Sequence, residues 1–150
     1  MKQQEISEFY DEYVQRQLKI GANERLISLY KRLVNGGLNA HSKILELGCG
    51  VGIFTKLLSK KVTKGKIEAV DLSEKSAAVA KRELKHKKNI HFGVADVVKY
   101  QPKNTDFDMI TLMDVIEHIP LEQHEELFGN LSKIATEKTH ILINIPNPQY

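Results

Sequence analysis

The chain holds a single cysteine, Cys49. That count excludes an intramolecular disulfide and any paired Cys-x-x-Cys metal site. No stretch of about 18 consecutive apolar residues occurs, so no transmembrane helix is expected. The amino terminus, Met1-Lys2-Gln3-Gln4-Glu5, lacks the apolar core of a secretory signal, which makes the cytoplasm the expected location. Aromatic residues are not interleaved with the lysines, so base stacking gains no support and nucleic acid is not an expected partner. Internal repeats and low-complexity tracts are absent as well.

What is present describes an ordinary globular chain. Its 150 residues suit one domain with a buried core. Hydrophobic residues at 41% and charged residues at 27% set it apart from disordered and fibrous proteins. The net charge is +3, with basic residues gathered in residues 56–66 and 81–88. Both runs lie in or beside segments of helical pattern, where such charges usually form a solvated face.

Two amphipathic helices open the chain. Residues 6–18 carry Ile6, Phe9, Tyr10, Tyr13, Val14 and Leu18 at helical spacing, and residues 23–34 carry Leu26, Ile27, Leu29, Tyr30, Leu33 and Val34 before Gly36-Gly37 ends the pattern. Residues 1–38 therefore read as a helical cap ahead of a main domain at 39–150. From there the period changes to short apolar runs at 43–47, 66–70, 90–94, 107–112 and 140–145. Their length suits central strands of a parallel sheet, buried on both faces. Helical patterns fill residues 53–61, residues 74–86 with Ser73 as N-cap, and residues 121–135 opened by Pro120. Residues 97–106 show none. Five strands with helices between most of them predict an α/β, Rossmann-like, doubly wound and mainly parallel sheet.

The first strand runs directly into Gly48-Cys49-Gly50-Val51-Gly52 and then a helix. Glycines at a strand-to-helix turn let the backbone bend tightly and approach a ligand where side chains would collide. Dinucleotide enzymes space theirs G-x-G-x-x-G, which from Gly48 would place the third glycine at position 53. Ile53 stands there, and the glycine is Gly52. At the end of the second strand, Asp71 can accept hydrogen bonds from two ribose hydroxyls, with Leu72 near an adenine face. Asp96 follows the third strand, where a capped turn is the alternative reading. For Cys49, a small side chain tolerated beside a ligand is the preferred reading over a nucleophile.

The G-x-G-x-G loop with Glu46 two residues ahead resembles the first motif of class I S-adenosylmethionine-dependent methyltransferases. The segment Asp114-Val115-Ile116-Glu117-His118-Ile119 resembles one found in small-molecule members, such as the ubiquinone-biosynthesis O-methyltransferases. The resemblance covers roughly residues 42–146. It implies S-adenosylmethionine as cofactor and S-adenosylhomocysteine as product. It also implies that Glu46 helps hold the methionine ammonium while Gly48, Cys49, Gly50 and Gly52 pack against the cofactor. Asp71 and Leu72 then meet the ribose and adenine, Ala95 and Asp96 the adenine edge, and Met113 and Asp114 the methionine end. His118 is the candidate catalytic base toward a hydroxyl or amine of a small molecule, because imidazole titrates in the useful range. A turn cap, or a pair with Glu117, is the competing role for it.

Asp114, Glu117 and His118 are also similar to the metal-holding segment of small-RNA 2′-O-methyltransferases, which makes metal-dependent RNA ribose methylation an alternative. A further histidine expected after the fifth strand is missing, and no metal ligand is assigned here. His124 is expected to face solvent. The resemblance further implies seven strands where five are legible, so the last two are expected to be missing and the chain to be a fragment or an unusually short fold. A cofactor-binding fragment without catalysis is therefore a third reading. An uncovered sheet edge invites pairing with a second copy, so a homodimer through that edge is expected. The segment Asn147-Pro148 reads as a turn.

Overall fold

A computed structural model describes the backbone of residues 3–147 and the side chains of residues 8–147. The Ile6 side chain and Pro148 of the expected Asn147-Pro148 turn thus lie outside the described residues. The elements in chain order are α1 (Gln3–Ile20), α2 (Glu24–Asn35), β1 (Lys43–Leu47), α3 (Ile53–Lys61), β2 (Lys66–Asp71), α4 (Glu74–Glu83), β3 (Ile90–Val94), β4 (Met109–Met113), α5 (His124–Ile134) and β5 (His140–Asn144). Two 3-10 turns, Ile116–His118 and Leu121–Gln123, lie between β4 and α5.

All five strands are parallel, in the order β3-β2-β1-β4-β5. The chain leaves β1 toward β2 and β3 on one side, then crosses back to β4 and β5 on the other. The order reverses next to β1, and crevices at such a reversal hold ligands at the carboxyl ends of the strands. This is the doubly wound sheet that the pattern of apolar runs predicts.

Alternation along the strands builds two cores. Ile44, Ile67, Met109 and Met113 face α3, the end of α4, and Leu33 of α2. Leu45, Leu47, Ile110 and Leu112 face Leu127, Leu131 and Ile134 of α5. Burial removes each such Leu or Ile from water for about 1.5–3 kcal/mol. Leu26, Leu29, Tyr30 and Val34 of α2 pack against the first core, so the second helix shares the core of the sheet. Asn23 caps α2 by accepting from the Leu26 N–H at 2.9 Å, and Ser73 caps α4 as predicted.

Several boundaries differ from the sequence reading. Phe107 is buried in the second core but precedes β4, and Asp108 after it is tied to the start of β1: its carboxylate accepts from Lys43 N–H at 2.7 Å. Helix α4 stops at Glu83, short of residue 86, with Leu84 as C-cap. The helix expected at 121–135 starts at His124, because the residues after Pro120 form a 3-10 turn. Burial on both faces holds for β4 but not for the two edge strands, where His91 and Val94 of β3 and Ile141 and Ile143 of β5 stay exposed. Among the described residues no helix is long and apolar enough to cross a membrane.

Candidate functional site

At the end of β1 the chain turns on Gly48, whose N–H and that of Cys49 both donate to the Val70 carbonyl, at 2.8 and 3.0 Å. Gly48 has φ +80°, and a Cβ there would lie 2.3 Å from Cγ2 of Val115. Glycine is thus required by backbone conformation and by the close approach of the segment after β4. Gly50 has φ +54°, and a Cβ on it would meet nothing within 4 Å. It faces a cavity of about 640 Å³, a size typical of small-molecule sites.

Asp71, at the end of β2, closes the loop against the sheet. One carboxylate oxygen accepts from Gly50 N–H at 2.8 Å, and the other from Ser73 N–H at 2.8 Å. Each oxygen keeps a further lone pair for a ligand hydroxyl. Glu46 forms the floor of the cavity and is 1% exposed. Its Oε2 accepts from the Thr55 hydroxyl of α3 at 2.6 Å. Burial pushes the Glu46 carboxyl up to about 8, opposed by the Thr55 hydrogen bond and assisted by the negative charge of Asp71. The group is therefore poised to ionise when a cation enters. Burial, with Glu46 and Asp71 nearby, also pushes the Cys49 thiol up, which removes its nucleophilic character at neutral pH.

The cavity gathers most of the residues that the sequence singled out. Glu46, Gly48, Cys49, Gly50, Asp71 and Leu72 line it from the β1 and β2 side. Asp96, Met113, Asp114 and His118 line it from the β3 and β4 side. Gly52 is set back, packed against Ala80 of α4. Ala95 is likewise absent from the lining: its N–H is spent on the Asp71 carbonyl at 3.0 Å, and Val97 and Val98 take the cavity wall instead. Asp96 does cap a turn, accepting from Val98 N–H at 3.0 Å. His118 is exposed on the 3-10 turn, and its imidazole forms no hydrogen bond, to Glu117 or otherwise, among the described residues. His124 is partly buried, with Nε2 2.9 Å from the Ile119 carbonyl oxygen, contrary to its expected place in solvent.

Sequence reasoning missed one cluster at the cavity mouth. Arg25 of α2 donates through both terminal nitrogens to the Asp114 carboxylate, at 2.6 and 2.5 Å. Asn144 at the end of β5 donates to the same carboxylate at 2.9 Å. Asp114 has φ +55°, the only described non-glycine residue in the left-handed region. Gln17 of α1 and Leu26 of α2 join the lining, so the two amino-terminal helices close one side of the cavity. Among the described residues, no group of three or more His, Cys, Asp and Glu side chains is arranged to hold a metal ion.

A family model described as a methyltransferase domain matches residues 10–150. The chain belongs to this methyltransferase family. It is 38% identical over 101 residues to a malonyl-[acyl-carrier protein] O-methyltransferase of Bacillus anthracis, covering 67% of this chain and 35% of that protein. A ubiquinone biosynthesis O-methyltransferase of Coxiella burnetii is 32% identical over 78 residues, 51% of this chain and 32% of that one. The chain thus spans about a third of the length of the curated relatives it matches. Among solved structures, a TehB-like SAM-dependent methyltransferase of Corynebacterium glutamicum superposes with a TM-score of 0.71 at 23% identity, covering 91% of this chain and 71% of that one. Coclaurine N-methyltransferase, solved with N-methylheliamine and SAH, has a TM-score of 0.68 at 21% identity over 79% of this chain and 35% of that one. These likenesses establish the Rossmann-like fold.

Proposed function

We propose that this methyltransferase-family chain binds S-adenosylmethionine in the cavity at the end of β1 and belongs to an enzyme that methylates an oxygen atom of a small molecule. The observation that carries the reading is the convergence of Asp71, the glycine loop and Glu46 on one cavity. These groups fit the cofactor. A buried carboxyl on the floor suits its ammonium, Asp71 retains lone pairs for the ribose, and Val97 and Val98 offer an apolar wall beside Asp96 for the adenine. When bound, the cofactor supplies a sulfonium methyl group. The chain's own part is to align an acceptor with that group, to exclude water, and to hold the acceptor's proton.

The proposed acceptor of that proton is His118, a reading supported by its place in the cavity lining and by a ring unengaged among the described residues. An oxygen acceptor is supported by the names of the two curated relatives, both O-methyltransferases. The metal-dependent ribose reading gains no support from the geometry, since Asp114 is committed to Arg25 and Asn144.

Thermal unfolding with S-adenosylhomocysteine or NADH tests the cofactor assignment. A ligand at 100 times its Kd stabilises the native state by about 2.7 kcal/mol. S-adenosylhomocysteine is expected to raise the Tm and NADH to leave it unchanged; stabilisation by NADH alone would sink the reading.

A further inference from the structure

Strand β4, Met109-Ile110-Thr111-Leu112-Met113, is buried along its whole length, and Thr111 is its one polar residue. The Thr111 hydroxyl is fully buried and has no hydrogen-bond partner among the described residues. Valine would fill the same volume without removing a hydroxyl from water unpaired, so the threonine calls for a use.

Its position supplies one. Thr111 is the register partner of Glu46 across the β1–β4 pairing. Register partners share a face of the sheet, and on this face Ile44, Met109 and Met113 belong to a single core. The other groups near Glu46 are committed: the Thr55 hydroxyl donates to Glu46, both Asp71 oxygens accept backbone N–H groups, and the Cys49 thiol meets the Gly50 carbonyl at 3.6 Å. An ionised carboxylate offers about four acceptor sites, more than a protonated one, so Glu46 needs further donors once a nearby cation favours its ionised form and its proton has passed to solvent.

We propose that Thr111 is a positioning residue for Glu46, its hydroxyl reserved for the ionised carboxylate that, with Thr55, it orients toward a cationic amino group on the cavity floor. The inference rests on the cofactor assignment above. The hydroxyl turns toward Glu46 directly or across one water molecule, and a bond of that kind to a charged acceptor is stronger than one between neutral groups.

Calorimetric titration of S-adenosylhomocysteine, and of its analogue lacking the α-amino group, into wild type, Thr111→Val and Thr111→Ser tests it. Thr111→Val should melt at or above the wild-type temperature without ligand and bind S-adenosylhomocysteine about tenfold more weakly, the loss expected for a hydrogen bond to a charged group. The deaminated analogue should bind both proteins alike, and Thr111→Ser should behave as wild type. Wild-type affinity in Thr111→Val, an equal loss for the deaminated analogue, or a Thr111→Ser variant as weak as Thr111→Val would each overturn the proposal. A wild-type chain that does not bind S-adenosylhomocysteine overturns it together with the functional reading, which keeps the two failures distinct.

Discussion

Replacing Glu46 by Gln removes one proton-binding group from the least exposed part of the cavity. In the folded chain the Glu46 carboxyl is pushed from its ordinary value of 4.5 up to about 8, mainly by burial. Between those values the unfolded chain has released the proton while the folded chain retains it. The native state therefore binds more protons, and stability falls as pH rises. The contribution is fully present below the unfolded value and is lost as pH climbs through the folded one. Over about three pH units, from 5 to 8, the slope of 1.36 kcal/mol per unit gives a loss on the order of 4 kcal/mol in the wild type that Glu46→Gln does not share. Urea unfolding of both proteins at several pH values in this range measures it. The difference in stability should move in favour of the variant as pH rises. Saturation with S-adenosylhomocysteine should flatten the wild-type profile, because the ammonium stabilises the ionised carboxylate. Parallel pH profiles for the two free proteins would refute the argument, since they would mean that Glu46 titrates normally despite its burial.

Other consequences concern the cavity mouth and the acceptor. Arg25→Ala should cost less than about 1 kcal/mol of global stability, because the Arg25–Asp114 pair is partly exposed. It should nevertheless speed hydrogen exchange in α2, whose first turn that pair ties to the segment after β4; unchanged exchange would show that apolar packing alone holds the helix. His118→Ala should leave S-adenosylhomocysteine affinity intact and lower turnover of a hydroxyl acceptor by about 100-fold or more, the usual scale of general base catalysis. Undiminished turnover would remove His118 from the chemistry.

How far the sequence foretold this site depends on the range of each interaction. The cavity positions of Glu46, Gly48, Gly50 and Asp71 were legible because strand, turn and following helix are contiguous, and because a parallel sheet gathers its carboxyl strand ends at one end of the sheet. Ala95 does not line the cavity: its N–H donates to the Asp71 carbonyl, and Val97 and Val98, in a turn where the sequence shows no helical pattern, stand at the wall. Arg25 could not be found from local pattern: its partner lies 89 residues away, and on the helix it reads as an ordinary solvated charge. Phe107 illustrates a different limit, since an apolar residue that enters the core from a loop looks like the first residue of a strand. The half-exposed face of β5 was illegible for a related reason: whether Ile141 and Ile143 are covered depends on what lies beside the last strand, which the apolar run cannot reveal.

The central claim is that the cavity over the glycine loop is the cofactor site, and calorimetric titration of S-adenosylhomocysteine into wild type and Gly50→Asn tests it most directly. Gly50 has φ +54°, which asparagine tolerates better than most residues, and a side chain there enters the cavity rather than the core. One molecule should bind per chain of the wild type, and binding should be lost in a Gly50→Asn variant that remains folded. Equal affinity in both proteins would place the ligand elsewhere and contradict it.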